Sequence, residues 1–209
     1  MGHFNLPLLK SVLPQKYSRI DTVVETGTFL GEGTSVMAAH FRTVITIELS
    51  TTLYDLARTR LAGKHYGHVR FLNADSRNAL RCVVNTLEQP AIFFLDAHWS
   101  GDASVDWKRS NWKGYGVNTA HSGVARKPSS KQQVPLEEEV AAIASTFRCY
   151  GVIYIDDADN FDESGRGLKN HNFVGEDWTA LRLSKLKTLL RNRLRKWYQL
   201  DNQIIILFD

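Results

Sequence analysis

The feature that most constrains the fold is a regular alternation between short apolar, β-branched runs and segments with helical periodicity. Strands are predicted at 22–26, 43–49, 69–75, 91–97, 151–157 and 203–208. Helices are predicted at 34–41, 50–64, 76–88, 135–147 and 177–197. This alternation favours a parallel β-sheet covered by helices on both faces. The run AIFFLDA at 91–97 shows no polar alternation, which indicates a central strand buried on both faces.

Length and composition indicate a globular protein. The 209 residues suit one domain, 1–209, with a helical N-terminal extension at 1–19. A net charge of +4 permits an anionic ligand without requiring nucleic acid. No run approaches the roughly 20 apolar residues of a membrane span, and the N-terminus lacks a signal-peptide pattern. Cys82 and Cys149 lie in apolar-periodic segments, so we expect buried free thiols and a reducing cytoplasm. Whether the chain forms a homo-oligomer is left open by the sequence.

The first predicted strand runs into a glycine turn, VVETGTFLGEGTS at 23–35. Turns between the first strand and the first helix of α/β folds often bind nucleotide ligands. No lysine follows Gly33, which argues against a phosphate-binding P-loop. The spacing of Gly27, Gly31 and Gly33 departs from a dinucleotide fingerprint, and Glu25 would repel a pyrophosphate. Glu48 lies at a suitable distance for ribose binding, so an NAD-binding oxidoreductase remains an alternative.

An acid at position 25 suits a ligand that carries an ammonium group and no phosphate, such as S-adenosylmethionine (SAM). The stretch ETGTFLG at 25–31 resembles the first motif of class I SAM-dependent methyltransferases, acid-x-Gly-x-x-x-Gly. The resemblance covers roughly residues 20–160 and implies a Rossmann-like, doubly wound, mostly parallel seven-stranded sheet. It also implies a cofactor site formed by Glu25, Thr26, Gly27, Thr28, Phe29, Gly31, Thr34, Glu48, Leu49, Asp75, Ser76 and Asp96.

Within this resemblance, each acid at a strand end has an implied role. Glu48 would bind the ribose hydroxyls, and Asp75 with Ser76 would bind the adenine. A plainer interpretation remains for both acids. Glu48 could cap the helix that begins near Ser50, and Asp75 could cap the helix that follows it.

A second acidic group is predicted at the same edge of the sheet. Asp96 and Asp156 end strands that should be neighbours about 4.8 Å apart, and Asp157 follows directly. Three carboxylates in a small volume repel one another unless a cation lies between them, and oxygen ligands suit Mg²⁺, Mn²⁺ or Ca²⁺. We therefore predict metal ligands Asp96, Asp156 and Asp157. The pair Asp159-Asn160 resembles an Asp-Asn pair that catechol-type O-methyltransferases use near this place, and this resemblance implies both residues as reserve ligands. Alternatively, Asp157 and Asp159 only cap turns.

The acidic group resembles the metal site of metal-dependent O-methyltransferases, most closely the macrocin-type sugar O-methyltransferases. His98 lies two residues beyond Asp96, and an imidazole titrates near neutral pH. His98 could therefore act as general base on a substrate hydroxyl, bind the metal, or only hydrogen-bond its loop. The sequence Asp96-Ala97-His98-Trp99 lacks the Asn/Asp-Pro-Pro-aromatic motif of DNA amino-group methylases. This departure argues against methylation of a nucleic-acid base and for a hydroxyl acceptor.

The long polar stretch 99–134 is predicted to form a lid over the acceptor site. Its tryptophans could stack on a sugar or aromatic ring, and its cations could hold a phosphate, carboxylate or sulfate. These residues are Trp99, Trp107, Trp112, Lys108, Arg109, Lys113, Arg126 and Lys127. Alternatively, the tryptophans only pin the loop to the body. The predicted function is transfer of methyl from SAM to a hydroxyl of a saccharide or glycosylated natural product, assisted by a divalent metal.

Two further alternatives remain open. The chain could be a non-catalytic Rossmann-like module that binds a partner through 99–134. The predicted helix at 177–197 carries seven Lys or Arg residues and one acid, with an apolar face of leucines and Trp197. Such a charged face usually contacts only water, but it could also contact an anionic partner or acceptor.

Overall fold

The computed structural model describes residues 4–62, 66–98, 133–169 and 177–209. Its helices are α1 (Leu6–Val12), α2 (Glu32–Ala38), α3 (Thr51–Ala62), α4 (Ser76–Thr86), α5 (Leu136–Thr146) and α6 (Leu183–Leu190). Its strands are β1 (Thr22–Thr26), β2 (Thr43–Glu48), β3 (Val69–Asn73), β4 (Ala91–Leu95), β5 (Gly151–Ile155), β6 (Leu194–Leu200) and β7 (Gln203–Phe208). Short 3₁₀ turns lie at Tyr17–Arg19, Ala158–Asn160 and Arg191–Arg193.

The strands form one seven-stranded sheet in the order β3-β2-β1-β4-β5-β7-β6. Strands β1 to β5 pair in parallel, and β7 is antiparallel to both β5 and β6. The central strands β1, β4 and β5 are buried along their whole length, as their continuous hydrophobicity requires. The predicted Rossmann-like, mostly parallel sheet is confirmed.

Each face of the sheet packs on its own apolar cluster. One cluster joins alternate strand residues such as Val24 and Phe93 to α4, α5 and α6. The other joins the opposite set, such as Val23 and Phe94, to the N-terminal segment and α2. In the predicted extension at 1–19, α1 and the 3₁₀ turn supply Leu9 and Tyr17 to this second cluster. Helices therefore cover both faces, as predicted.

The predicted single helix at 177–197 is wrong. Helix α6 spans only Leu183–Leu190, and the helix ends there because Arg191 has a φ of 41°, outside the helical region. Residues 194–200 instead form β6, which pairs with β7 through a tight turn at Asp201 and Asn202. Leucines at helical spacing suggested that the helix continues to residue 197. The aromatic residues and the Asp-Asn turn that follow favour a β-hairpin instead. The seven basic residues are therefore spread over α6 and the residue before it, the 3₁₀ turn at Arg191–Arg193, and the edge strand β6.

The cysteine prediction is also wrong in part. Cys82 is exposed on α4, whereas Cys149 is half-buried and its thiol contacts the carbonyl oxygen of Glu88 at 3.4 Å. Both cysteines are free thiols, as predicted, and the cytoplasmic location stays a prediction. Among the residues that the structure describes, no helix has the length and apolar character needed to cross a membrane.

Candidate functional site

The carboxyl ends of β1, β2, β4 and β5 meet at one edge of the sheet. Thr26 ends β1 and pairs with Leu95, which in turn pairs with Ile155. Asp96 and Asp156 directly follow Leu95 and Ile155, so both strands end one residue before the acids. The strand-end acids and the glycine turn after β1 therefore share one edge, where open α/β sheets bind their ligands.

The glycine turn begins with a backbone position that only glycine can occupy. Gly27 has φ of 84°, and its N–H donates to the carbonyl oxygen of Ile47 at 2.9 Å. A Cβ added at Gly27 would lie 2.5 Å from the carbonyl oxygen of Asp96. Gly31 has φ of 78°, and Phe29 also adopts a left-handed conformation with φ of 52°. The turn is thus a tightly folded backbone loop held between β2 and β4.

Replacing Gly27 by alanine is expected to lower the free energy of unfolding by about 3 kcal/mol or more, because a left-handed non-glycine residue and a backbone clash add up. Gly67→Ala is the matched control, since no atom lies within 4 Å of a Cβ added there. Chemical denaturation of both variants measures the difference. Equal stability of the two variants would contradict this account of the turn.

Glu25 lies inside the protein, behind the turn. It is 1% exposed, and its Oε2 accepts hydrogen bonds from Thr34 Oγ1 at 2.5 Å and Thr46 Oγ1 at 2.6 Å. Burial raises the pKa of Glu25 to about 8, although the two hydroxyl groups oppose the shift. The nearby charges of Asp96 and Glu48 raise this pKa further. The charges of Asp96 and Glu48 thus disfavour the ionised form of Glu25, and a cationic ligand nearby would favour it.

The raised pKa of Glu25 predicts a loss of stability toward alkaline pH. Because the folded-state pKa exceeds the unfolded value, the folded protein binds the extra proton between about pH 4.5 and 8. Stability should therefore fall across this window by up to about 1.4 kcal/mol per pH unit. Glu25→Gln should flatten this dependence, whereas the exposed Glu163→Gln should leave it unchanged. Denaturation midpoints at pH 5 and pH 8 test this, and parallel profiles for wild type and Glu25→Gln would contradict it.

Glu48 holds the two backbone segments that flank the predicted cofactor site. Its Oε2 accepts from the N–H of Phe29 at 2.9 Å, and its Oε1 accepts from the N–H of Ser50 at 2.8 Å. Glu48 is buried, and burial raises its pKa. The next residue, Leu49, is 68% exposed, an unusual position for a large apolar side chain beside a buried acid. The carboxyl end of β2 therefore places a buried carboxylate next to an exposed apolar side chain.

Asp75 has the capping role that the plainer interpretation gave it. Its Oδ1 accepts from the N–H of Arg77 at 3.0 Å at the start of α4, and its carboxylate pairs with the Arg77 guanidinium. The hydrogen bonds and charge of Arg77 lower the pKa of Asp75. Ser76 is buried. A contact of Asp75 and Ser76 with adenine stays a prediction.

The structure brings together Asp96, His98 and Asp157. One ligand atom from each residue lies within 4.8 Å of the other two. His98 Nε2 is 3.2 Å from Asp157 Oδ2 and 3.6 Å from Asp96 Oδ1, the second distance being too long for a hydrogen bond. Asp96 Oδ1 is buried and has no hydrogen-bond partner among the described residues. A buried carboxylate oxygen without a donor is costly, and a cation would satisfy it.

The two carboxylates of this cluster differ in their electrostatics. Burial raises the pKa of Asp96, although the imidazole of His98 opposes the shift. Burial also acts to raise the pKa of Asp157, but the His98 imidazole and the hydrogen bond from Asn202 outweigh it, so the net shift is downward. His98 therefore stabilises the ionised form of both acids.

Asp156, a predicted metal ligand, is not part of this cluster. It is 4% exposed, and its Oδ1 accepts from the N–H of Asp157 at 3.0 Å and from Gln203 Nε2 at 3.5 Å. Of the reserve ligands, Asp159 is exposed, and Asn160 is buried with its Nδ2 atom unpartnered among the described residues. His98 thus takes the place of Asp156 in the group that the structure assembles.

Three residues near the site were not predicted. Glu139 on α5 is 1% exposed, and burial raises its pKa to about 7 while the hydroxyl groups of Ser76 and Thr26 oppose the shift. Trp178 is 3% exposed, with its ring centroid 5.9 Å from that of His98. Thr46 on β2 binds Glu25. The three consecutive acids at 137–139 were a signal for Glu139, but helical spacing alone did not show which acid faces inward.

The predicted lid at 99–134 lies outside the described residues except for its last two positions. Gln133 and Val134 are buried beside α5. The three tryptophans and five cations assigned to acceptor binding lie in the part of the chain that the structure does not describe, so that assignment stays a prediction.

Comparison with known proteins supports the fold. No protein-family profile and no curated protein sequence matches the chain. A candidate caffeoyl-CoA O-methyltransferase from Staphylococcus aureus superposes on 100% of this chain and 84% of its own, with a TM-score of 0.58 and 14% sequence identity. The O-methyltransferase TomG from Streptomyces achromogenes, involved in tomaymycin synthesis and crystallised with SAM, superposes on 90% of this chain and 73% of its own, with a TM-score of 0.53 and 14% identity.

At these identities the similarity establishes the fold and nothing finer. The chain has the Rossmann-like fold found in SAM-dependent methyltransferases, among them O-methyltransferases. The same fold supports other functions elsewhere, so the activity has to be argued from the site.

Proposed function

We propose that the protein is a SAM-dependent O-methyltransferase assisted by a divalent cation. One observation carries the proposal: the glycine turn around Glu25 and the Asp96–His98–Asp157 cluster lie at the same edge of a sheet with the methyltransferase fold. In this arrangement the cofactor methyl group and an acceptor hydroxyl would meet beside Asp96. Bringing the two reactants together is itself a large part of the catalysis.

The electrostatics of the turn favour SAM over NAD. The charges of Asp96 and Glu48 raise the pKa of Glu25, so this acidic site would gain from a bound cation and oppose a pyrophosphate. Glu48 would bind the ribose hydroxyls, and the exposed Leu49 would cover one face of the adenine. Glu25 is enclosed and its pKa is about 8, so the positive charge of bound SAM would favour its ionised form, and the carboxylate would then act on that charge across the glycine turn.

The donor set of the cluster fits a divalent cation that accepts both nitrogen and oxygen. Asp96 and Asp157 supply carboxylate oxygens, His98 supplies an imidazole nitrogen, and Asp96 Oδ1 has no hydrogen-bond partner among the residues that the structure describes. Mixed imidazole and carboxylate ligation suits Mn²⁺ or Fe²⁺ better than Mg²⁺, which prefers oxygen ligands and water. A bound cation would lower the pKa of the acceptor hydroxyl and orient it.

The role of His98 can be separated by one variant. If His98 is a ligand, His98→Ala should weaken Mn²⁺ binding by roughly 100-fold, by analogy with losses at metal sites. If His98 is the general base, the variant should still bind Mn²⁺. Its residual rate, unlike that of wild type, should no longer fall toward acid pH. Mn²⁺ titration followed by electron paramagnetic resonance, together with a pH–rate profile, distinguishes the two. Wild-type values in both measurements would show that His98 only supports its loop.

Sequence features at 99–134 favour a small polar acceptor with hydroxyl groups, such as a saccharide or glycosylated natural product, and an anionic substituent would suit the cations there. Incubation with isotope-labelled SAM and a panel of hydroxylated acceptors, followed by mass spectrometry, tests the activity. A methylated hydroxyl would exclude the non-catalytic binding module, whereas bound SAM with no methylated product across the panel would favour that module.

A further inference from the structure

The hairpin turn between β6 and β7 lies at the carboxyl end of β5, beside the site. Strand β7 runs antiparallel to β5, with Ile204 opposite Ile155. The start of β7 therefore meets the end of β5, and the turn that precedes β7 reaches the segment after β5. This topology brings Asn202 next to Asp157, although the two residues are 45 positions apart in the sequence.

Asn202 contacts three successive residues of the segment that follows β5. Its backbone oxygen accepts from the N–H of Ala158 at 2.9 Å. Its side-chain Oδ1 accepts from the N–H of Asp159 at 2.7 Å, and its Nδ2 donates to Asp157 Oδ1 at 3.3 Å. One side chain thus uses both its acceptor and its donor on this segment, in addition to the backbone contact.

These contacts hold Asp157 in a conformation that it would otherwise avoid. Asp157 has φ of 60° and ψ of 40°, the left-handed region, which residues other than glycine adopt uncommonly. In this conformation one carboxylate oxygen, Oδ1, receives Asn202, and the other, Oδ2, lies 3.2 Å from His98 Nε2. The carboxylate is therefore held from both sides.

The turn itself is anchored, so Asn202 has a fixed place from which to act. The next residue, Gln203, is buried and its Nε2 lies 3.5 Å from Asp156 Oδ1. The hydroxyl group of Tyr154, fully buried on β5, donates to Gln203 Oε1. Gln203 thus ties the start of β7 to the end of β5.

We propose that Asn202 is a positioning residue of the active site, which sets the conformation of residues 157–159 and holds the Asp157 carboxylate against His98. Asn202 does not belong to the Asp96–His98–Asp157 group, and its effect passes through Asp157. The consequence for metal binding rests on the proposed function, whereas the effect on the segment itself does not.

Amide hydrogen exchange tests the positioning without any metal. In Asn202→Ala the amide of Asp159 loses its acceptor and should exchange about tenfold faster, as expected for one lost hydrogen bond. The amide of Ala158 binds the backbone oxygen of residue 202, which the variant retains, so it should change less. Asp201→Asn is the matched control in the same turn, since Asn tolerates the left-handed conformation of Asp201, with φ of 49°. Unchanged exchange at Asp159 would overturn the proposal.

A double-mutant cycle in Mn²⁺ affinity tests whether Asn202 acts through Asp157. Asn202→Ala should weaken Mn²⁺ binding about tenfold, and Asp157→Asn should weaken it more. The double variant should bind no more weakly than Asp157→Asn alone, because the carboxylate that Asn202 holds in place is already absent. Additive losses would mean a general structural effect and would overturn the proposal.

The outcomes remain distinguishable if a variant or the proposed function fails. Should Asn202→Ala not fold, Asn202→Ser removes the same Nδ2 donor and takes its place in the cycle. If wild type binds no Mn²⁺, the metal assistance under the proposed function is lost, and the exchange rate of the Asp159 amide alone decides the role of Asn202.

Discussion

Replacing Asp96 by asparagine is expected to reduce the rate of methyl transfer at least about a thousandfold, since losing a metal contact removes several kcal/mol of transition-state stabilisation. The amide has nearly the shape of the carboxylate, so the fold should persist although the negative charge that would hold a cation beside Asp96 is lost. The affinity for SAM should stay within a few fold. Single-turnover rates and SAM titrations of wild type and variant provide the comparison.

The matched control for Asp96→Asn is Asp159→Asn. Asp159 carries the same charge near the same edge, but its side chain is exposed and outside the cluster. Its replacement should change the rate by no more than about twofold, as expected for a surface substitution. Similar losses in both variants would show that general charge, not a defined site, supports the activity.

Removing divalent cations should lower the rate about a hundredfold or more, because the acceptor hydroxyl would lose the group that acidifies and orients it. Added Mn²⁺ should restore the rate at lower concentration than Mg²⁺, since one of the three donors is an imidazole. Initial rates after chelation and readdition of each cation measure both effects. A full rate in the presence of chelator would contradict the metal proposal while leaving SAM-dependent transfer intact.

Much of the fold could be predicted because its signals are local. Apolar runs such as 91–97 and 151–157 are long enough to identify central strands, and the structure places β4 and β5 within them. The prediction for the C-terminal region failed because a helical and a strand pattern overlap there. Leu194 and Trp197 continue the helical spacing of α6, yet both belong to β6 and pack against the same apolar cluster from a strand. Pairing with β7 decided between them, and that pairing is a tertiary effect.

The site was predictable only as far as strand ends determine it. Parallel strands that end together explain why Asp96 and the acids after β5 lie at one edge. Side chains alternate along a strand, so Asp156 shares the face of Tyr154, and both contact Gln203. Asp157, turned by its left-handed backbone, places its Oδ2 3.2 Å from His98 Nε2. Which of the two acids joins the cluster depends on β7 and on the turn before it. The sequence around residue 156 gives no sign of that contact.

The residues that support the site come from distant parts of the chain. Glu139 and Trp178 each reach it from an element whose packing is set by the whole sheet, and neither carries a local motif. A buried acid and a buried tryptophan are common in cores, so their residue types alone favour no function.

Binding of SAM tests the central claim most directly. Calorimetric titration of the purified protein with SAM and with its demethylated product should give one site per chain, with Glu48→Gln weakening both ligands and Gly67→Ala leaving both unchanged. NAD at millimolar concentration should give no binding, because the acids around the turn oppose a pyrophosphate. Absence of SAM binding at millimolar ligand, with binding of NAD in its place, would contradict the account.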